Sequence, residues 1–404
     1  MERQCADREN LGIKAMNKNG SMKEEGGMYR EIPLSVPNLN MNIVKNLEEC
    51  IETGWVSTGG RFITEFEQKF ARYVGMDSAV STQSGTAGLH LALRALGIGP
   101  GDHVIVPTLT FVAAVAPVVY QGAVPVFMDC DDTLCMDPAK LSEYLKRNPG
   151  KAKALIVVHV FGNMADMEKI MDLAHEYNLK VIEDATEAVG TYVTHGRYKG
   201  CHAGTIGDIG VYSFNANKII TTGGGGMVVS RNREWLEHMR HLSLTAKTDP
   251  LYFVHDEVGY NYRMLNIQAA LGVSQMDELE DFVRTKIKNY ELYRRELSGV
   301  NGITILPFRQ DIRANHWFYS LLIDEKVLGA TRDSLMTGLI EKGIQCRPVW
   351  KLIHTLKPYR DYEAYQIEKA PYYEANILNV PCSTQLKRED VEYICDKIKE
   401  TAKI

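Results

Sequence analysis

Phe62, Phe66, Phe70 and Tyr73 recur at helical spacing, and Thr64 with Glu67 has the spacing of a capping box, so a helix is predicted there. A short apolar run at 79–82 leads into Ser84-Gly85-Thr86-Ala87 and then an apolar helical pattern at 89–96. The turn Gly99-Pro100-Gly101-Asp102 precedes a strand at 103–106. Further short β-branched runs fall at 124–128, 154–158 and 179–182, with helical segments at 138–147 and 164–177 between them. Strands alternating with helices in this way predict a mostly parallel sheet with helices on both faces. A long helical stretch from Asn266 to about Leu297 closes that unit. Past Gly299 the texture changes to short strands at 303–306 and 318–323 and helices at 331–342 and 387–401. The expected organisation is a polar leader over 1–30, a large α/β domain over 31–298 and a small α+β domain over 299–404.

Residues 104–128 carry no charge, a length that would satisfy a membrane-spanning helix. Pro107, Pro117 and Pro125 break the stretch into pieces too short for a bilayer, so it reads as strand, turn, helix and strand. Across the 404 residues, 46 Lys and Arg stand against 51 Asp and Glu, a formal charge of −5. No basic field is available for a broad grip on nucleic acid or on an anionic membrane. The eight cysteines are scattered without a C-x-x-C pair, and no signal peptide is recognisable. Reduced thiols and a cytoplasmic location are expected. His238 and His241 form a close pair without a third ligand nearby, so no metal is expected.

The chain has no G-x-x-x-x-G-K-[ST], no G-x-G-x-x-G and no G-x-S-x-G, which sets aside the common nucleotide fingerprints and the hydrolase elbow. What remains is a set of polar residues at predicted strand ends. Asp184 follows the run Val181-Ile182, where an α/β sheet presents its ligands, and Glu183 and Glu187 lie beside it. Ser213-Phe214-Asn215-Ala216-Asn217-Lys218 is followed by Thr221-Thr222 and four glycines, Gly223 to Gly226. Ser84-Gly85-Thr86 opens a helix whose free N–H groups and hydroxyls suit a phosphate. Taken singly, each has a plain structural role: capping acids, a solvated lysine, an N-cap. Together they match the needs of pyridoxal phosphate, which are a lysine for its aldehyde, an acid for its ring nitrogen and an anion cradle. Phe111 is placed to lie against the ring.

In Ser84-Gly85-Thr86-Ala87-Gly88-Leu89, Pro107-Thr108-Leu109-Thr110-Phe111, Glu183-Asp184-Ala185-Thr186-Glu187-Ala188, Gly207-Asp208-Ile209 through Lys218, and Gly259-Tyr260-Asn261-Tyr262-Arg263-Met264, the chain resembles the DegT-type sugar aminotransferases. These are a branch of the fold-type I pyridoxal-phosphate enzymes, and the likeness runs from about Ile32 to the end. Ile32-Pro33-Leu34-Ser35-Val36-Pro37 and Arg347-Pro348-Val349-Trp350-Lys351 are most similar to the legionaminic-acid and perosamine types. Those enzymes aminate C4 of a nucleotide-linked 4-keto-6-deoxy hexose.

The resemblance implies a mostly parallel seven-stranded sheet sandwiched by helices and a homodimer with shared active sites. By position, Lys218 matches the lysine that carries the cofactor, Asp184 the pyridine partner and Phe111 the aromatic over the ring. Gly85, Thr86 and Ser213 match phosphate contacts, and Asn261 one supplied by the neighbouring subunit. Glu187 stands where the family more often has glutamine beside the cofactor's 3′-oxygen, and an acid there should alter the proton balance. The segment around 194–204 is longer than usual and is expected at the sugar-nucleotide entrance. His159, Asn163, His316, Trp317, Arg347 and His354 occur where the family lines its substrate pocket, and each is equally compatible with a structural role. Arg347 suits a diphosphate or carboxylate.

The implied reaction is ping-pong amino transfer from L-glutamate to a nucleotide-linked 4-keto-6-deoxy sugar. The first-named acceptor is UDP-4-keto-6-deoxy-N-acetylhexosamine, with GDP-4-keto-6-deoxymannose as the alternative. A catalytically silent regulator on the same fold is a reading from another class. Relatives that dehydrate instead carry histidine at the lysine position, and Lys218 argues against that outcome.

Overall fold

The apolar runs of the first half fold as strands buried on both faces, the pattern expected when helices cover both sides of a parallel sheet. A computed structural model describes residues 31–402; the leader expected over 1–30 lies outside them. The strands are β1 (Val80–Thr82), β2 (His103–Pro107), β3 (Val124–Met128), β4 (Ala152–Val158), β5 (Lys180–Asp184), a two-residue β6 (Tyr192–Val193), β7 (Ile209–Ser213) and β8 (Gly226–Val229). An exposed hairpin, β9 (Lys247–Asp249) and β10 (Val254–His255), follows. The last third adds β11 (Ile303–Ile305), β12 (Ile312–Arg313), β13 (Tyr319–Ile323), β14 (Arg347–Pro348), β15 (Ala364–Tyr365) and β16 (Ile377–Val380).

The main sheet has the order β1-β8-β7-β5-β4-β2-β3-β15. Pairing is parallel from β7 through β15, and β8 alone runs antiparallel to its neighbours β7 and β1. This is the mostly parallel α/β sheet expected, with seven strands from residues before 230 and an eighth contributed by residues 364–365. That edge strand is too short to register as a pattern in the sequence. A second, antiparallel sheet has the order β11-β13-β16-β14. The two regions are stitched together, because β12 pairs with β6 and β15 with β3. Residues 32–36 run back against the last third: Ile32 N–H donates to Gly343 O at 2.8 Å and Cys382 N–H to Leu34 O at 2.8 Å.

The helices used below are α1 (Asn42–Thr53), α2 (Arg61–Val74), α3 (Gly85–Ala95), α4 (Ala116–Tyr120), α5 (Pro138–Arg147), α6 (Met167–Glu176), α7 (Arg233–Ser243) and α8 (Asn266–Glu296). Among the described residues no helix is long and apolar enough to cross a membrane. The spacing of Phe62, Phe66 and Phe70 buries one stripe of α2 against α8 and the sheet. Phe66 meets Phe214 at 4.9 Å between ring centroids and Phe70 meets Tyr212 at 4.7 Å. Gly272 lets α8 approach this cluster, since a Cβ there would stand 2.7 Å from the Phe66 ring. The ring cannot retreat, so Phe66→Ala leaves a cavity. It should cost about 3–5 kcal/mol, read as a lower urea midpoint with unchanged slope.

The capping box expected from Thr64 and Glu67 does not form, because α2 begins three residues earlier, after Gly60. Glu67 therefore falls on the inner face, where it accepts bonds from Ser81 N–H at 2.7 Å and the Ser81 hydroxyl at 2.8 Å. Arg263 and Arg240 pair with it at 2.7 and 3.1 Å. A buried carboxylate with this many donors is stabilised as a charge rather than expelled.

Candidate active site

The parallel strands β5 and β7 end on the same edge, with Asp184 opposite Val211 and Ser213 two residues further on. Helix α3 starts beside them, and together these ends form the floor of a cleft. This is where an open α/β sheet places its ligands. Ser84 caps α3, its hydroxyl accepting the Ala87 N–H at 3.1 Å. Gly85 has no alternative: a Cβ there would stand 2.9 Å from the Thr186 methyl and 3.1 Å from Ser213 Cβ. The free N–H groups of α3, with the Ser213 and Thr186 hydroxyls beside them, make a cradle for an anion.

Asp184 lies in the cleft at the end of β5 and is 4% exposed. Its carboxylate accepts the Thr186 N–H at 3.1 Å. Burial raises its proton affinity, and the Thr186 contacts and the Lys218 ammonium pull it back down. The next residue towards the strand centre, Glu183, points the opposite way, as alternation along a strand demands. It takes His159 Nε2 at 2.8 Å and the N–H groups of Gly204 and Ile206 at 2.9 and 2.6 Å. Burial opposes its charge, but His159 and these amides together hold it below the ordinary carboxylate range.

Lys218 sits on the loop between β7 and β8, and its side chain is 12% exposed. Its Nζ lies 3.6 Å from Glu187 Oε1 and 3.8 Å from the centroid of the Trp317 ring. Burial lowers its proton affinity, and Glu187 and Asp184 partly restore it. Glu187 is pushed up to about 7 by burial, with Lys218 and the Phe161 N–H acting against the shift. Trp317 arrives from the start of β13, and its indole N–H donates to Asn217 O at 2.8 Å. Phe111 stands 53% exposed in the cleft wall, 6.4 Å from Trp350.

Of the residues expected at the site, Gly85, Thr86, Phe111, Asp184, Glu187, Ser213 and Lys218 all line this cleft. Trp317 does too. The other expected substrate residues do not. His159 is spent on Glu183 and on the Ala165 N–H. Asn163 bonds Thr133 O and the Arg309 N–H. His316 is packed between Phe308 and Tyr290 at 4.1 and 4.5 Å. Arg347 is exposed and donates to Cys346 O, and His354 is tied to the Thr108 hydroxyl at 2.6 Å. Asn261 is exposed, bridged through its backbone to Leu244, and lies outside the cleft wall of its own chain. None of residues 194–204 reaches the cleft; Arg197 instead pairs with Asp172 at 2.6 Å.

Two residues escaped the sequence reading. Trp350 lines the wall, and Asn315, fully buried, ties the walls together. Asn315 Nδ2 donates to Glu187 O and Val189 O at 2.9 and 2.8 Å, while its Oδ1 accepts the Trp317 N–H at 2.9 Å. Gly162, at φ +89°, is the signal that could have been paired with it, since a Cβ there would overlap Asn315 Oδ1.

This donor set fits pyridoxal phosphate: a cradle closed to any Cβ at Gly85, a buried acid, and an amine of lowered proton affinity in one cleft. Residues 37–399 match the DegT/DnrJ/EryC1/StrS aminotransferase family. The chain is 36% identical over 370 residues to the GDP-perosamine synthase of Escherichia coli O157:H7, covering 91% of this chain and 98% of that one. It is 37% identical over 365 residues to the GDP-perosamine synthase of Caulobacter vibrioides, covering 90% and 96%. The aminotransferase TlmJ from Streptoalloteichus hindustanus superposes with a TM-score of 0.85 at 29% identity, covering 92% and 98%. The chain belongs to the DegT/DnrJ/EryC1/StrS family and is a pyridoxal-phosphate-dependent sugar aminotransferase.

Proposed function

We propose that this enzyme moves an amino group from L-glutamate to C4 of GDP-linked 4-keto-6-deoxymannose in two half-reactions that share one cleft. The observation that carries the reading is the convergence of Lys218, Asp184 and the α3 cradle in that cleft. The choice of sugar is supported by the perosamine synthases that align over nine-tenths of the chain. They favour the GDP sugar over the UDP-linked N-acetylhexosamine that the motifs first suggested.

When bound, pyridoxal phosphate supplies an electron sink for negative charge at the substrate carbon. The start of α3, Thr86 and Ser213 would hold its phosphate, and Phe111 its ring face. The Asp184 carboxylate keeps a proton at the ring nitrogen, which is what makes the sink effective. The Lys218 amine takes the proton from the glutamate carbon and returns one in the second half-reaction. Trp317, Phe318 and Trp350 narrow the cleft around that amine and keep bulk water from it.

A homodimer is part of the same proposal. Leu251, Tyr252, Phe253 and Val254 on the β9–β10 hairpin are 74%, 76%, 68% and 50% exposed, an apolar patch that a second copy would cover. Asn261, which is not among the residues lining its own cleft, would then serve the neighbour's phosphate site. The work is placed in the cytoplasm, where nucleotide sugars and reduced thiols coexist.

Purified enzyme with glutamate and a panel of GDP- and UDP-linked 4-keto-6-deoxy sugars tests the substrate. The expected result is a product mass for the 4-amino sugar from the GDP-linked acceptor. Amination of the UDP sugar alone would return the assignment to the N-acetylhexosamine, and a visible band that glutamate cannot bleach would favour a silent regulator.

A further inference from the structure

The Lys218 amine is held from two sides. Glu187 Oε1 lies 3.6 Å from Nζ, and the Trp317 ring face lies 3.8 Å away. Both partners are buried, at 5% and 2% exposure, so neither interaction is diluted by water. Their positions are not left to side-chain chance. Glu187 Oε2 is fixed by the Phe161 N–H at 2.8 Å. Asn315 bonds the backbones of both Glu187 and Trp317. From behind, Lys286 of α8 donates to Trp317 O at 3.1 Å and to Cys382 O at 2.6 Å.

The geometry points to Glu187 and Trp317 as a two-sided seat for the Lys218 amine, with Glu187 the positioning residue that exchanges a proton with it. The step is a single transfer: an N–H bond of the ammonium breaks, an O–H bond forms on the Glu187 carboxyl, and the amine is left free. No other reactant is needed. The seat matters because the same amine must be charged while parked and neutral when it acts as a base.

The other charged groups bearing on this pair are few. Asp184, from the end of β5, favours the ammonium and disfavours a second carboxylate beside it. His159, after β4, is engaged with Glu183 on the far side of the strand. Lys286 is capped by the two carbonyls named above. With Asp184 supplying one negative charge to the site, Glu187 is the acid whose proton is free to move, in line with its proton affinity near neutral pH. The sign follows. Removing the Glu187 charge removes support for the ammonium, so Lys218 loses its proton at lower pH.

This inference rests on the aminotransferase reading, and its test separates the two. In holoenzyme converted to the pyridoxamine form, Lys218 is labelled with acetic anhydride across a pH series and located by peptide mass. In Glu187→Gln the labelling midpoint should fall by about 1–2 pH units. Trp317→Leu should lower it by less, and Trp317→Phe, which keeps a ring face, should recover most of the difference. Should Glu187→Gln fail to fold, the contrast between the two Trp317 variants carries the test. Midpoints that coincide with the parent within about 0.2 pH units in both series would overturn the seat, a shift that small being below any direct charge interaction at this range. A visible band that weakens without any movement of the midpoint would overturn it equally, because that is what a purely structural role gives. A parent enzyme with no visible band would instead defeat the cofactor reading itself.

Discussion

Lys218→Ala should lower the rate of amino transfer by at least about 10⁴-fold, since the proposed general base and cofactor anchor are lost together. The fold should survive. Lys218 bonds the rest of the chain chiefly through its amine, and β7 and β8 on either side are held by their own ladder. Removing the amine leaves Glu187 and Asp184 buried together, and Glu187, already near 7, absorbs the change by taking a proton. The measurements are single-turnover conversion of glutamate to 2-oxoglutarate, with thermal unfolding as the control. Added methylamine should restore part of the rate. Retention of full turnover would remove Lys218 from the reaction.

The second large effect is expected at Asp184. Asp184→Asn keeps the size of the side chain and can still accept the Thr186 N–H, so packing is preserved. On the proposed mechanism it loses the negative charge that would keep a proton on the cofactor's ring nitrogen. The rate should fall by about 10²–10⁴-fold, with cofactor affinity reduced by much less. A cofactor analogue methylated at the ring nitrogen, which carries its positive charge permanently, should recover activity in the variant. Equal loss with both cofactors would mean that Asp184 acts by packing alone.

How much of this was legible in the chain depends on distance along it. Asp184 could be read because a strand buried on both faces announces its own carboxyl end, and Lys218 because glycines crowd the positions after it. Gly85 and Ser213 were similarly local. The small residues beside Ser84 only make sense where backbone must pass close to backbone, and Gly226, whose Cβ would stand 2.6 Å from the Ser84 carbonyl carbon, belongs to the same crossing.

The pocket's outer wall was harder. Trp317 was placed there by likeness alone, and its neighbour His316 by the same argument, yet a backbone at φ +53° sends the imidazole the other way, against Phe308. Nothing in a spacing rule anticipates that reversal. His159 and Asn163 fail for a different reason. They follow β4 at the correct edge, but Glu183 and the Arg309 backbone claim them first. Asn315 is the plainest case of what sequence conceals, because two of its three side-chain bonds reach carbonyls more than 120 residues away.

Ser35, near the start of the described residues, donates to Asn217 O at 3.4 Å, one residue from Lys218, and Val36 N–H is held by the Ser383 hydroxyl at 3.0 Å. Residues 35–36 are thus tied both to the loop that carries Lys218 and to Ser383, which stands 347 positions from Val36 along the chain. A contact of such high sequence separation carries a loop-closure cost that local strands and helices do not, so this clasp is expected to close late in folding.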